Sequence, residues 1–200
     1  KGKVKLCRRE RYDLYPRIGD QSQINKRIAK RTAPGEHPMF PRQTLYATQF
    51  REKQKVKRMY GLLERQFRRF FAMADKQQGQ TGTILLQLLE MRLDNAVYRA
   101  GMAKTRDQAR QMVNHGHVLV NGIKVDVPSA IVKTGDKVNL KEKITGQEWY
   151  DEIKKLNESY SVPTWMNKVS ESEVEVTNIP AREDADMSIR EQLIVEFYSK

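Results

Sequence analysis

The sequence predicts a mainly helical α+β fold built around two modest cores, and three observations predict it. Of the 200 residues only 38% are hydrophobic, which is lean for one thick core. Val56, Met59, Tyr60, Leu63, Phe67, Phe70, Phe71 and Ala74 follow one another at steps of one, three or four, the spacing of a buried helical stripe. Residues 105–127 spell a capped helix that runs into a β-hairpin.

Residues 1–41 are rich in Lys and Arg, carry Pro34, Pro38 and Pro41, and show little apolar periodicity. Such a segment buries too little surface to offset its ordering entropy, so it reads as a solvated basic tail or as an extension shaped by a partner. Cys7 is the only cysteine, which excludes an intrachain disulfide and fits a reducing cytosol. One thiolate cannot build a four-ligand structural zinc site, and His37 reads as a loop residue. No metal and no cofactor is expected.

From Thr44 to Lys76 the pattern is helical, with the aromatics of the stripe as core. The opposite faces carry Lys53, Lys57, Arg58, Arg65, Arg68 and Arg69, with Glu52 and Glu64 as the nearby acids. Repulsion among these cations is poorly compensated, and a polyanion would relieve it. Gly79, Thr81 and Gly82 break the pattern before a second helix through Ile84, Leu85, Leu88 and Leu89. A further helix runs from about Arg92 to Arg99 and stops at Gly101.

Thr105 and Gln108 form a capping box at the head of the next helix, and Gly116 supplies the left-handed residue that ends it. Val118-Leu119-Val120 is a strand, Asn121-Gly122 the hairpin turn, and Lys124-Val125-Asp126-Val127 the returning strand, closed by Pro128. Gly135-Asp136 is a turn and Lys137–Leu140 a further strand. Trp149, Tyr150, Ile153 and Leu156 mark an amphipathic helix. Val174 and Val176 alternate with Glu173 and Glu175 as an acidic strand, and Ile189–Phe197 is periodic and apolar enough to dock.

The net charge of +12 is uneven. Residues 1–60 hold 17 Lys+Arg against 5 Asp+Glu, residues 61–140 hold 12 against 7, and residues 141–200 hold 8 against 13. The cationic footprint therefore lies in the first two thirds, where a polyanion should meet it. No run approaches the roughly 18 apolar residues of a spanning helix and no secretory signal opens the chain, so no membrane partner is expected. Arg106 and Arg110 share one face of their helix, while Ala109, Met112 and Val113 fall on the other. Guanidiniums beside a basic hairpin, flanked by Lys104, Lys124, His115 and His117, make a surface for phosphates, and RNA is the expected ligand. Arg suits it because the planar fork grips phosphate bidentately.

This stretch resembles the RNA-binding module of the S-four family of bacterial small-subunit ribosomal proteins. The likeness extends through Arg51-Glu52-Lys53-Gln54-Lys55-Val56, Tyr60-Gly61, Leu63-Glu64-Arg65-Gln66-Phe67-Arg68, Thr81-Gly82, Leu88-Leu89-Glu90, Arg92-Leu93-Asp94-Asn95, Pro163-Thr164-Trp165 and Glu196-Phe197-Tyr198-Ser199-Lys200. Some members carry several N-terminal cysteines spaced as a zinc site, whereas this chain keeps only Cys7.

The resemblance implies a helical RNA-binding domain at 42–90 on which residues 178–200 pack back, with the module and following strands at 91–177 inserted between the two halves. Residues 1–41 become a basic extension ordered on ribosomal RNA. The RNA-contacting residues expected on these grounds are Arg51, Lys53, Lys55, Lys57, Arg58, Arg65, Arg68, Arg69, Arg92, Lys104, Thr105, Arg106, Arg110, His115, His117, Asn121 and Lys124. The resemblance further implies a structural constituent of the cytoplasmic ribosome that binds small-subunit RNA directly, nucleates assembly and contributes to translational accuracy. It implies contact with the neighbouring protein S five, a place near the messenger entrance and, in some members, repression of the protein's own messenger.

Catalysis is not expected. No nucleotide-binding glycine loop or nucleophile elbow is present. Arg92-Leu93-Asp94 does resemble the signature of pseudouridine synthases, some of which carry the same module and use the Asp to attack the base. Here Asn95-Ala96-Val97-Tyr98 lacks the Thr or Ser and the Gly that continue it, so Asp94 reads as a first-turn helix acid. An enzyme of that kind is the alternative reading, followed by an RNA chaperone bearing the module.

Overall fold

A computed structural model describes residues 2–18, 34, 35, 42, 44–157 and 160–199. His37 lies outside them. The expected α+β, mainly helical fold is what forms, with two hydrophobic cores.

The first core is helical. Helix α1 spans Lys3–Glu10, α2 Leu45–Met59, α3 Glu64–Asp75 and α4 Thr81–Glu90, and the tail helix α9 spans Glu191–Tyr198. Thr44 caps α2 by accepting from the Ala47 N–H at 3.2 Å. The apolar stripe from Val56 to Ala74 is continuous in sequence, yet it is shared between two helices. Gly61 takes φ +63°, which lets the Leu62 N–H reach the Lys57 carbonyl at 2.8 Å and the Gly61 N–H reach that of Arg58 at 3.1 Å. This paired closure ends α2. The chain then folds α3 back, so that Val56, Met59, Phe67, Phe70, Leu85 and Leu89 meet in one cluster. The tail helix lies along α2 and α4 and adds Ile194 to it. A Cβ on Gly82 would fall 2.7 Å from the Glu191 side chain, so Gly82 lets the tail helix approach α4 closely.

The second core lies under an antiparallel sheet. Helices α5 (Leu93–Arg99) and α6 (Arg106–Asn114) pack together and share this core with β1 (Val118–Val120), β3 (Lys137–Leu140), β4 (Met166–Ser170) and β5 (Glu173–Val176), while β2 (Ile123–Lys124) extends the sheet with both residues exposed. The strand order is β2-β1-β3-β5-β4. Short α7 (Glu142–Thr145) and α8 (Glu148–Asn157) connect β3 towards β4 and supply Ile144, Tyr150 and Ile153 to the core. A 3₁₀ turn at Arg182–Asp184 leads back to the tail helix.

Three features differ from the sequence reading. The returning hairpin strand is only Ile123–Lys124 instead of running to Val127, because the following segment is drawn to the start of α5. There the Ala130 carbonyl accepts from the Leu93 N–H at 2.8 Å and the Pro128 carbonyl from the Asp94 N–H at 3.2 Å, covering donors that a helix N-terminus leaves unpaired. Strand β4 gave no alternating signal, since Asn167, Lys168, Val169 and Ser170 are all exposed. It is an edge strand with a register irregularity between Lys168 and Ser170, features that blunt an open edge. Finally, residues 2–18 are not a detached arm. Cys7, Leu14 and Ile18 are buried, and burial raises the Cys7 pKa. Glu10 pairs with Arg51 and Arg58, and the Tyr12 hydroxyl donates to Asp186. Isolated anchors of this kind leave no periodic pattern to read.

Ile194 joins the tail to the first core without any exposure. Ile194→Ala should lower stability by about 2 to 5 kcal/mol, the usual cost of such a cavity. Urea unfolding should show it as a lower midpoint with an unchanged slope.

Candidate nucleic-acid interface

The basic side chains divide into two sets, one turned into the seam between the cores and one left on the surface. The seam is organised by Glu90, the last residue of α4, which is fully buried. Its carboxylate accepts from the Tyr60 hydroxyl at 2.5 Å, Asn95 Nδ2 at 2.7 Å, and Arg99 Nε and Nη2 at 2.8 Å each. Burial works to raise its pKa, but the charge and hydrogen bonds of Arg99, helped by Arg106, hold the carboxyl below its ordinary value. Burial and the neighbouring Glu90 push the Tyr60 hydroxyl well above its own.

Arg106 Nε donates to Asn95 Oδ1 at 2.8 Å, and its guanidinium lies 5.1 Å and 4.6 Å from the ring centres of Tyr60 and Tyr98. Beside this knot Asp94 receives Arg92 through Nε at 3.1 Å and Nη2 at 2.8 Å, and faces Arg110 Nε at 3.2 Å. Arg110 then crosses the seam, donating from Nη1 to the Gly61 carbonyl at 2.6 Å.

These positions change the picture drawn from the sequence. Arg92 is fully buried, and Arg106 and Arg110, both half-buried, reach across the seam, with 28% of the Arg110 side chain still exposed. The polar face of α6 is a docking face, because the turn that ends α2 presents Tyr60 and the Gly61 carbonyl to it. Lys53 is buried, donating to Glu64 at 2.7 Å and lying 4.4 Å from the ring centre of Phe197. Lys55, also buried, donates to the Ser188 carbonyl at 2.6 Å. Lys57 shares Glu64 at 2.9 Å, Arg51 and Arg58 share Glu10, and Lys104 meets Glu152. Partial burial opposes the charge of Glu64, yet the two lysines bring its pKa down to about 2.

Thr105 and Asn121 serve the backbone. Thr105 Oγ1 accepts from the Gln108 N–H at 3.2 Å, while Gln108 Oε1 accepts from the Lys104 N–H at 2.9 Å, one residue before the cap. Asn121, at φ +52°, donates to Asp136 at 2.8 Å and accepts from the Lys137 N–H at 2.9 Å.

Among the predicted contact residues two surfaces remain open. On α3, Arg65, Arg68 and Arg69 are exposed and make no hydrogen bond or ion pair among the described residues. At the corner between α6 and the hairpin, the rings of His115 and His117 stand 5.7 Å apart, edge to face. The stem of Lys124 crosses Gly116 so closely that a Cβ there would meet its Cε at 2.1 Å. Gly116, at φ +67°, therefore ends α6 and clears the path of Lys124. Partial burial, then His115, Lys141 and Lys143, push the His117 pKa down, so at neutral pH it offers hydrogen bonds and not charge. Lys141 and Lys143 belong to this corner too, and in the sequence only their position just after a strand could point to them.

The corner and the α3 face suit a phosphate backbone: fixed cations on ordered elements, with little concavity for a small molecule. The arrangement does not suit Asp94 as a nucleophile, since its side chain is 7% exposed and clasped between two guanidiniums. Among the described residues no group of three or more His, Cys, Asp and Glu is placed to hold a metal ion. Among the same residues no helix is long and apolar enough to cross a membrane.

Comparisons with known proteins agree over nearly the whole chain. The family model described as ribosomal protein S4/S9 N-terminal domain matches residues 1–90, and that of the S4 domain matches residues 91–138. The chain is 52% identical over 200 residues to small ribosomal subunit protein uS4A of Alkaliphilus metalliredigens, covering 98% of this chain and 96% of the relative. It is 47% identical over 203 residues to uS4 of Herpetosiphon aurantiacus, with 98% and 96% covered. Against uS4 of Neisseria meningitidis it is 46% identical over 200 residues, with 99% and 97% covered.

Two measurements test these pairings, one at the seam and one within the helical core. Asp94→Asn strips the buried Arg92 of its counter-charge and should cost about 3 to 5 kcal/mol in urea unfolding, the loss typical of a broken buried pair. For Glu64 the folded pKa lies below the unfolded one, so its contribution is present above about 4.5 and is lost as pH falls towards about 2. Unfolding midpoints should drop across that window, and Glu64→Gln should flatten the drop.

Proposed function

The chain belongs to the small-subunit ribosomal protein S4 family, a structural and not a catalytic family, and from that premise we propose how its surface engages ribosomal RNA. The protein is a constituent of the small ribosomal subunit and binds its RNA. The contacts are made by side chains that keep polar heads at the surface: the exposed Arg65, Arg68 and Arg69 on α3, and His115, His117, Lys124, Lys141 and Lys143 at the corner of the module, where Lys124 also faces Asp126 at 3.7 Å. The observation that carries this reading is the division of the charges. Most other predicted contact residues already hold internal partners, whereas the three arginines of α3 hold none among the described residues.

RNA helices hide their base edges, so recognition rests on backbone shape and on the relative placement of two or more contact surfaces. The seam supplies that placement by tying the module to the helical core. Thr105, Asn121, Arg106 and Arg110 take part as scaffolding that sets the surfaces. Early binding that organises an RNA junction, an influence on translational accuracy, contact with protein S five and a position near the messenger entrance follow from the family and form part of the same proposal.

Binding to a small-subunit RNA transcript should weaken steeply with salt, because each neutralised phosphate releases counterions. Changing Arg65, Arg68 and Arg69 together to Ala should cost on the order of 1 to 3 kcal/mol for each arginine on a phosphate, and lower the log–log slope by about one per contact. Filter binding at several salt concentrations measures both. An unchanged slope would remove α3 from the interface. Chemical footprinting of the transcript then locates the junction.

A further inference from the structure

We propose that the cavity of about 270 Å³ enclosed by the end of α1, the outer face of α2 and the start of the tail helix is a phosphate pocket for the RNA backbone, an assignment that rests on the ribosomal reading above. Its wall draws Arg9 from the first helix and Arg11 from just after it, Arg51 and Lys55 from α2, and Arg190 from just before the tail helix. Five cationic side chains thus surround one space that contains two carboxylates, Glu10 and Glu52.

Those carboxylates do not neutralise the opening. Glu10, with 2% of its side chain exposed, is held by Arg51 at 3.2 Å and by Arg58. Glu52, with 8% exposed, accepts from Lys55 Nζ at 3.3 Å and from the Arg190 backbone N–H at 2.9 Å. Both are turned into the wall and engaged there. The Arg9 and Arg190 side chains are exposed and have no hydrogen bond or ion pair among the described residues. The mouth therefore carries two unengaged guanidiniums over a wall of paired charges. A guanidinium presents parallel N–H groups that match two oxygens of one phosphate, and two guanidiniums facing one space can share a phosphodiester.

The pocket is assembled from segments at opposite ends of the chain, and that gives it a consequence that a flat basic patch lacks. A phosphate held by Arg9 and Arg190 ties α1 to the tail helix across α2. Occupancy then stabilises the first helix in place, because a ligand that binds only the docked arrangement shifts the population towards it.

The test uses the full chain and two probes, a small-subunit RNA transcript and inorganic pyrophosphate. Arg9→Ala combined with Arg190→Ala should weaken RNA binding about tenfold and make the log–log salt slope shallower by about one. Lys76→Ala combined with Lys155→Ala removes the same charge from other exposed positions and should change both far less. Pyrophosphate should slow amide hydrogen exchange over residues 3–10 in the wild type and not in the Arg9/Arg190 variant. If that variant binds RNA no worse than the charge-matched control, the RNA assignment is overturned. Protection by pyrophosphate in that event would make the pocket a site for a free phosphate compound. If pyrophosphate protects neither protein, the pocket itself is overturned. Wild-type protein that fails to bind the transcript sinks the ribosomal reading, and the pyrophosphate measurement still decides the pocket.

Discussion

One buried carboxylate holds the two halves of this molecule in a single arrangement. Glu90 sits at the end of α4 with no exposure, and four hydrogen bonds from Tyr60, Asn95 and Arg99 converge on it. An ionised group without partners costs several kcal/mol to bury, so the site is stable only when the donors arrive together. Tyr60 comes from the end of α2, while Asn95 and Arg99 come from α5. The helical core and the module must therefore dock in one register for the charge to be tolerated. A purely apolar seam would hold as firmly but would accept neighbouring registers at smaller cost.

This requirement explains where the cations go. A basic chain that binds RNA is expected to place its Arg and Lys outward, yet Arg92, Arg99, Arg106 and Arg110 are spent on the seam and Lys53 and Lys55 on the first core. Their stems and planar heads fill space between helices, and Arg106 stacks against two tyrosine rings. Of the residues that the sequence offered for RNA, those left with open heads are a smaller set, chiefly Arg65, Arg68 and Arg69 on α3 and the basic corner between α6, the hairpin and α7. Rigid spacing between the two is what shape-based recognition of RNA requires, and the seam provides the rigidity.

The chain ends close the structure. The tail helix completes the first core through Ile194 and lies against α4 at Gly82, and Arg182 grips Glu191 at 2.9 Å to hold its first turn. The first helix is fixed by Glu10 and Tyr12, contacts made with α2 and with the residues that precede the tail helix. The end of the first helix and the start of the tail helix thus meet beside α2, and the cavity between them follows from that meeting.

The sequence by itself determined whatever depends on neighbours along the chain. The capped helix at Thr105, its stop at Gly116, the Asn121-Gly122 turn and the helical stripe from Val56 were legible because capping, positive φ and periodicity are local properties. The family was legible too, in blocks of residues spread across the chain. The tertiary structure decided which face of each basic helix is inside. A guanidinium on the polar side of α6 looks the same in sequence whether it meets solvent or a partner on another element, and only the docking of α6 against the α2 turn drew Arg106 and Arg110 across the seam. It also decided the short return strand and the edge strand β4, since these are set by where a backbone donor elsewhere needs an acceptor. The burial of Cys7 and Leu14 was likewise invisible, because single anchors separated by polar residues draw no stripe, and their energy comes from partners far away in the chain.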